Sequence, residues 1–368
     1  MVDRVAKGVK MASMELAAQH LVSLVQERRS AALVSNLSTE MYLGQVGTFN
    51  VPVSVNHGQS PTCYINCPSR AFLDYGREEL DRLTGNPLLR GMGRAALSAF
   101  APLVKATGLD RQVQLNNWLV ATNILPPASP TDWLRTFETV QAAFPDHVPV
   151  LRSVNTRVHG PLLHALEEAG LTLFPMRKIF LRDYATETDW TTDEQKDARL
   201  RDRDDLHQRS GSTFDDADFD AAARLYGALY LEKYSQLNPH YTPAFLRAAH
   251  DQLGLQLEGF FTPRGEMVGI IGCFIQHGML TGPIVGYDTS LPQKLGLYRR
   301  LRSVNHGKAR AQGLVYNMSA GAEAFKLNRG GAASLEHLVT DFRAMPKGQR
   351  RAAKRLSQFL KLATRGLI

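Results

Sequence analysis

The side chains best placed to do chemistry lie between Tyr316 and Gly331, in the stretch YNMSAGAEAFKLNRGG. Gly313-Leu314-Val315 reads as the end of an apolar strand. Ser319-Ala320-Gly321 opens a short helix, and Gly330-Gly331 closes it. A strand that passes through small residues into a helix leaves first-turn N–H groups unpaired over a cleft floor, with one long side chain aimed at it. Lys326, after Phe325, is that side chain: a cation that meets developing negative charge or a phosphate, or else a helix lysine reaching solvent. Arg329 shares a phosphate or pairs with an acid.

Other chemistries lack their residues. No Gly-x-Ser-x-Gly elbow, no phosphate loop ending in Gly-Lys-Ser/Thr and no His-Glu-x-x-His pair occurs. His147, His164, His240, His250 and His277 are scattered without metal spacing. The three cysteines, Cys63, Cys67 and Cys273, argue against a disulfide framework, and Cys63 and Cys67 have no second ligand pair for zinc, so no metal site is expected. Tyr287, Tyr298 and Tyr316 are polar-tipped aromatics near the expected cleft, each suited to a core as well as to proton donation.

The elements that must position these residues follow from periodicity and turn chemistry. A helix is expected over 14–29, extended pieces over 45–55 and 62–67, and helices over 70–83 and 89–107. An apolar strand over 113–126 is interrupted by Asn116, Asn117 and Asn123, buried amides that either satisfy backbone at a strand break or face a groove. A helix over 131–144, a strand over 148–154, a helix over 161–169 ended by Gly170, and strands over 171–174 and 178–182 come next. The charged stretch 183–211 reads as a linker or surface excursion. Beyond it, helices open at Thr213-Phe214-Asp215-Asp216 and at Pro243, flanking the polar, aromatic segment with Tyr234, Asn238 and Tyr241. A hairpin turns through Pro263-Arg264-Gly265, a third strand covers 279–288, and helix 292–312, strand 314–317, helix 320–328 and strand 334–342 finish the order.

At 368 residues the chain exceeds one typical core and suggests two domains of roughly 150 residues each. Its 44% apolar content is that of a soluble globular protein, and no run of about 18 apolar residues marks a transmembrane helix. The N-terminus carries Glu15 and no long apolar core, which reads as cytoplasmic rather than as a signal peptide. Much of the net charge of +8 lies at the C-terminal end, where Lys347, Arg350, Arg351, Lys354, Arg355, Lys361 and Arg365 follow one another with no acidic residue. Such a helix either lies on anionic lipid, binds RNA or docks an acidic carrier, or it packs Leu356, Phe359 and Leu360 and keeps a solvated basic face.

Asn317, Ala320, Phe325, Lys326 and Gly330 fall on a frame that resembles the last helix of the GNAT acyltransferases, with lysine in the slot where a tyrosine commonly acts as acid toward the leaving thiolate. The Phe-Lys pair resembles the Fem-type branch, aminoacyl and acyl transferases built from two GNAT-like halves. The resemblance is best from Thr213 to Phe342 and weak before Val113. It implies an α/β fold of two GNAT-like domains, each a mixed sheet flanked by helices, the first degenerate because Leu166 occupies its catalytic slot. The corresponding boundaries are 1–183, a charged linker 184–212, a catalytic domain 213–345 and a basic helix 346–368.

The resemblance further implies N-acyl transfer from an acyl-CoA or acyl-carrier thioester to an amine of a small metabolite, amino acid or peptide, with no tightly bound cofactor. Aminoacyl-tRNA as donor and a non-catalytic scaffold are the alternatives. An acyl carrier protein or tRNA would meet the basic surface, and peripheral membrane contact is compatible with it. Lys326, Tyr287 and Tyr316 are then the catalytic candidates, with Gly286 at a bulge that exposes oxyanion donors. Gln293, Lys294, Gly296 and Tyr298 stand in the pyrophosphate loop, Tyr298 where a small residue is usual, and Arg299 and Arg329 add charge. Asn117, Asn123, Tyr234, Asn238, Asn317 and Ser319 would face the acceptor.

Overall fold

The structure, a computed structural model, describes residues 16–58, 63–83 and 86–366. Its strands are β1 (Glu40–Val46), β2 (Phe49–His57), β3 (Arg111–Leu115), β4 (Val148–Asn155), β5 (Thr172–Asp183), β6 (His207–Ser210), β7 (Gln256–Phe261), β8 (Met267–Gln276), β9 (Met279–Tyr287), β10 (Val315–Asn317) and β11 (Ala332–Thr340). Its α-helices are α1 (16–28), α2 (Ser30–Leu33), α3 (Tyr75–Leu83), α4 (Pro87–Ala106), α5 (Pro130–Ala143), α6 (Thr156–Glu168), α7 (Thr192–Arg201), α8 (Asp216–Gly227), α9 (Pro243–Gln252), α10 (Leu297–Ala311), α11 (Glu323–Leu327) and α12 (Lys347–Ala363). Residues 14, 15 and 62 of the expected elements lie outside the described residues.

Helix starts follow side-chain chemistry. Ser129, Thr191 and Asp215 cap α5, α7 and α8 and receive a returning carboxylate from Asp132, Glu194 and Asp218, so orphan N–H groups are satisfied reciprocally. For α5 the cap is therefore Ser129, with Pro130 as first helical residue, not Thr131. The two short strands expected over 171–182 are one, because the register slip against β11 falls at Pro175 and Arg177, where a missing N–H does no harm. Cys63 to Cys67 forms a turn instead of a strand.

The strands make one sheet, ordered β1-β2-β3-β4-β11-β5-β10-β9-β8-β7-β6. Read from either end toward the middle, this order repeats itself. In each half an antiparallel hairpin leads to a third strand, a helix crosses over, and a fourth strand pairs parallel to the third. The fifth strand is exchanged. β11 of the second half lies beside β4 of the first, and β5 of the first lies beside β10 of the second. β5 and β11 pair along nine positions, from Ala332↔Leu181 to Thr340↔Thr172, and so form the seam. The expected fold class holds: α/β, a mixed sheet flanked by helices, arranged as two halves.

The stretch expected as a linker is built structure. It holds α7 and the edge strand β6, and α7 packs on α10 through the buried Glu194, Asp197, Ala198 and Leu200. Its charge density misled because the inward side chains here are carboxylates, which meet buried cations.

Candidate active site

β9 and β10 pair at only three positions, Val315↔Met279, Tyr316↔Leu280 and Asn317↔Thr281. Past them β10 ends and β9 runs on to Tyr287, so a wedge opens between the two chains. At its vertex the β8–β9 register slips, and Gly282 and Pro283 together oppose Cys273 alone. A bulge tolerates a proline and turns the strand. The splay therefore begins at Gly282–Pro283, four residues before the expected Gly286. Gly286 lies flush on α8, where an added Cβ would stand 2.4 Å from the Tyr226 nitrogen. Gly286→Ala is expected to cost about 1–3 kcal/mol by pushing β9 off α8. A lowered urea midpoint at unchanged slope is the readout.

On the α10 side of the wedge stands Arg302, which the sequence reading missed. It is buried, donates from Nη2 to the Met318 carbonyl at 2.9 Å, and lies 5.7 Å over both the Tyr298 and Tyr316 rings. Its Nε has no partner. Burial alone would lower its pKa, but Tyr298, Tyr316 and Tyr230 around it hold the guanidinium charged. Arg302 follows Tyr298 by one helical turn, the only signal that sequence carries for it.

Tyr298 links the parts, with Phe325 at 4.9 Å and Tyr287 at 6.3 Å between ring centroids. Tyr287 is half-buried, its pKa raised by burial and by Tyr234 and Tyr298, so these hydroxyls share one rim. Tyr234, half-exposed, continues the rim through Tyr230 at 5.9 Å. Tyr316 lies beneath the floor, with no exposed surface and its hydroxyl 3.4 Å from Asn305 Nδ2. It packs the site from below, whereas Tyr287 and Tyr298 border the opening.

Lys326 is 1% exposed, and its ammonium does not project freely. Nζ donates to the carbonyls of Ser319 at 2.8 Å and Ala320 at 2.6 Å. The turn it holds carries three positive φ values: Ser319 at 62°, Gly321 at 76° and Ala322 at 47°. Asn317 Oδ1 accepts from the Ser319 N–H at 2.9 Å and starts that turn. Asn317 is thus buried turn structure, while Ser319 sits half-buried on it. Burial first, then the charges of Arg302 and Arg177, push the Lys326 pKa well below that of an ordinary lysine.

The expected donor residues divide. Gln293 and Lys294 are exposed on a single turn after β9, and Gly296, at φ 62°, starts α10 with Leu200 2.5 Å from where a Cβ would be. Arg299 and Arg329 are committed elsewhere: both bind Asp197 of α7, at 2.5 Å and 2.6 Å, and Arg329 lies 3.4 Å over the Phe325 ring. Beside them Lys196, Arg199, Leu200, Arg203 and Arg299 line a cavity of about 300 Å³ next to the start of α10.

The expected acceptor amides are structural. Asn117 donates to Ser54 Oγ at 2.7 Å and Asn66 Oδ1 at 3.0 Å, and accepts from the Leu119 N–H. Asn123 Oδ1 accepts from the Trp118 N–H, and Asn238 Nδ2 donates to the Tyr230 and Ser235 carbonyls at 3.0 Å. The amides at 117 and 123 shape the loop that follows β3. That loop lies past Leu115↔Leu151, where the first half would open its own wedge: Arg152 Nη2 holds the Ala121 carbonyl at 2.9 Å, and Ser153 Oγ the Asn123 N–H at 3.0 Å. Trp118, Leu119 and Val120 are buried there. The first wedge is filled by the chain itself.

At the seam Arg177 of β5 binds Glu336 of β11 at 2.7 Å and the Thr122 hydroxyl at 2.9 Å. Arg177 stays a quarter exposed, Arg152 Nη1 and Glu336 Oε2 have no partner, and Tyr64 faces them. Together with Arg302 and Lys326 they make a cationic cluster with Tyr64 and Tyr230 beside the wedge. No group of three or more His, Cys, Asp or Glu able to hold a metal occurs among the described residues.

No protein-family model and no curated protein matches the chain. Among solved structures it is similar to L-PGS from Bacillus licheniformis, at 12% identity and a TM-score of 0.44 over 62% of this chain and 78% of that one. FemX matches at 8% identity and a TM-score of 0.44, over 57% of this chain and 75% of that one. A tandem GNAT protein from the clavulanic acid biosynthesis pathway matches at 9% identity and a TM-score of 0.38, over 64% and 76%.

Proposed function

We propose that the chain is an acyl or aminoacyl transferase that joins an activated acyl group to an amine in the wedge between β9 and β10. The observation that carries this reading is the wedge itself: a strand pair that parts at Thr281–Asn317, next to a bulge, and opens onto Arg302, Tyr298 and the turn held by Lys326. Attack of an amine on a carbonyl builds negative charge on oxygen and needs an acid for the leaving group. Arg302 supplies positive potential, Lys326 holds the turn beside it, and Tyr298 or Tyr287 donates the proton to a departing thiolate or alkoxide. The acceptor lies toward the cluster of Arg152, Arg177 and Glu336, which matches an amine substrate that also carries an acidic group. The cavity among Lys196, Arg199, Arg203 and Arg299 suits the phosphates of a CoA-like donor, close to the free N–H groups of α10.

The test is thermal stabilisation by CoA, a panel of acyl-CoAs and aminoacyl-tRNA, for the wild type and Arg302→Met. A donor at a hundred times its dissociation constant adds about 2.7 kcal/mol. Stabilisation by acyl thioesters, weakened at least about tenfold in apparent affinity by Arg302→Met, is expected. A response to aminoacyl-tRNA alone assigns the donor to tRNA, and no response to any of them overturns the reading.

A further inference from the structure

Helix α4 departs from every other long helix of the fold. Of its twenty residues only Val104 is buried, yet its outer face is apolar. Leu88 is 71% exposed, Leu89 53% and Met92 63%, and Ala95, Ala96 and Ala99 extend the same face along the helix. α12 packs antiparallel beside it, Phe100 on Phe359 at 4.5 Å, and adds Phe359 at 50% exposure and Leu362 at 60%. Isolated exposed leucines need no explanation, but a contiguous apolar strip across two helices marks an interaction surface.

The charge around the strip selects the partner. Residues 86–109 and 345–366 contain no Asp or Glu. Arg90 and Arg94 hold Asp81 of α3, and Lys361 holds Glu167, but Lys105, Arg351, Lys354 and Arg355 stand exposed around the apolar residues. Arg355, Phe359 and Leu362 share one side of α12, so cation and apolar side chains are presented together. A protein groove would cover the strip without requiring an acid-free surround. A bilayer with anionic headgroups needs both features, apolar side chains to enter the acyl boundary and cations at phosphate level.

We infer that α4 and α12 form a docking face for an anionic phospholipid membrane. No helix among the described residues is long and apolar enough to cross a bilayer, so this attachment is interfacial. The face adjoins the Arg152–Arg177 cluster through α3, which packs on α4: Tyr75, its first residue, sets its ring 5.3 Å from that of Tyr64, at a tilt of 42°, and lies near Arg177.

Co-sedimentation of the full chain with phosphatidylcholine vesicles, with and without phosphatidylglycerol, tests this. Binding is expected only with phosphatidylglycerol and is expected to weaken with salt. Leu88→Ser/Leu89→Ser/Met92→Ser should weaken it about tenfold or more. Lys354→Glu/Arg355→Glu should weaken it at least as much, at about fivefold per charge. All five side chains are exposed, so circular dichroism and melting should match the wild type. No binding to phosphatidylglycerol vesicles, equal binding to both vesicle types, or a dimer in solution that the apolar variant alone dissolves would overturn the inference.

Discussion

Asp197→Ala is expected to lower the unfolding free energy by about 3–5 kcal/mol, the range for removing one partner of a buried ion pair. Asp197 is 2% exposed and is shared by two guanidinium groups, Arg299 at 2.5 Å and Arg329 at 2.6 Å. Without it the buried Arg329 keeps the Phe325 carbonyl at 2.8 Å and a distant Asp193 at 3.9 Å, neither of which replaces the Asp197 Oδ2 that meets both its Nε and its Nη2. The damage reaches the site, because Arg329 covers Phe325, and Phe325 packs on Tyr298. Urea unfolding of Asp197→Ala and Asp197→Asn measures it. A loss below about 1 kcal/mol in the alanine variant would show that the pair is no anchor.

Lys326→Met is expected to lower kcat/KM for the proposed acyl transfer by about 10²-fold, the scale on which a small misplacement of a site costs rate, because the turn from Ser319 to Ala322 loses the donor that holds it. Stability at neutral pH should fall by about 1–3 kcal/mol, as the Ser319 and Ala320 carbonyls lose their donor. The pH dependence separates this lysine from a surface one. Its pKa is depressed in the folded state by burial and by Arg302 and Arg177, so between that value and the ordinary lysine range the unfolded chain binds the extra proton. Stability attributable to Lys326 therefore rises with pH through that window and falls as the pH is lowered through it. Lys326→Met should lose that slope. Identical alkaline slopes in wild type and variant would place the ammonium in solvent, contrary to its geometry.

A second buried network makes the same helix indispensable. Glu194 of α7 accepts from Tyr184, the Thr191 N–H and the His306 ring at 3.1 Å. Burial opposes its charge, but His306, Tyr184 and Thr191 outweigh that and hold it down to about 2. The carboxylate thus keeps its charge across the ordinary pH range and releases α7 only in strong acid.

Much of this architecture was legible in the chain. The alternation of strands with capped helices after Val113, the hairpin at Pro263-Arg264-Gly265 and the strand, turn and helix around Lys326 all come from local chemistry, and local chemistry is what a sequence carries. The α/β alternation follows from it, whereas the mixed sheet and the two halves were expected from the resemblance to the GNAT acyltransferases. Phe325 and Lys326 also stood out through the small residues and the glycine pair around them, and Lys326 holds the turn that follows β10.

What misled was charge and polarity read without a partner. Thr191 to Arg201 looks like a solvated linker because about half its residues are charged, yet Glu194 points inward at His306 and Arg182 and Asp197 at Arg299 and Arg329, all on other elements. Asn117, Asn123 and Asn238 look like ligand-facing amides, yet each closes a loop hydrogen bond. A polar side chain does not encode which way it faces. That is set by whether a complementary group arrives from a distant strand or helix.

Local sequence, then, determined the elements, their order and the turn that carries Lys326, because caps, glycines and apolar periodicity act over a few residues. Tertiary structure alone decided that β5 and β11 trade places between the halves, that the first wedge is filled, and that Arg152, Arg177, Arg302 and Glu336 gather in one cluster. The exchange and the Arg177–Glu336 pair join residues more than a hundred positions apart, and the filling rests on the Ala121–Arg152 and Asn123–Ser153 contacts between separate elements, none of which a local pattern specifies.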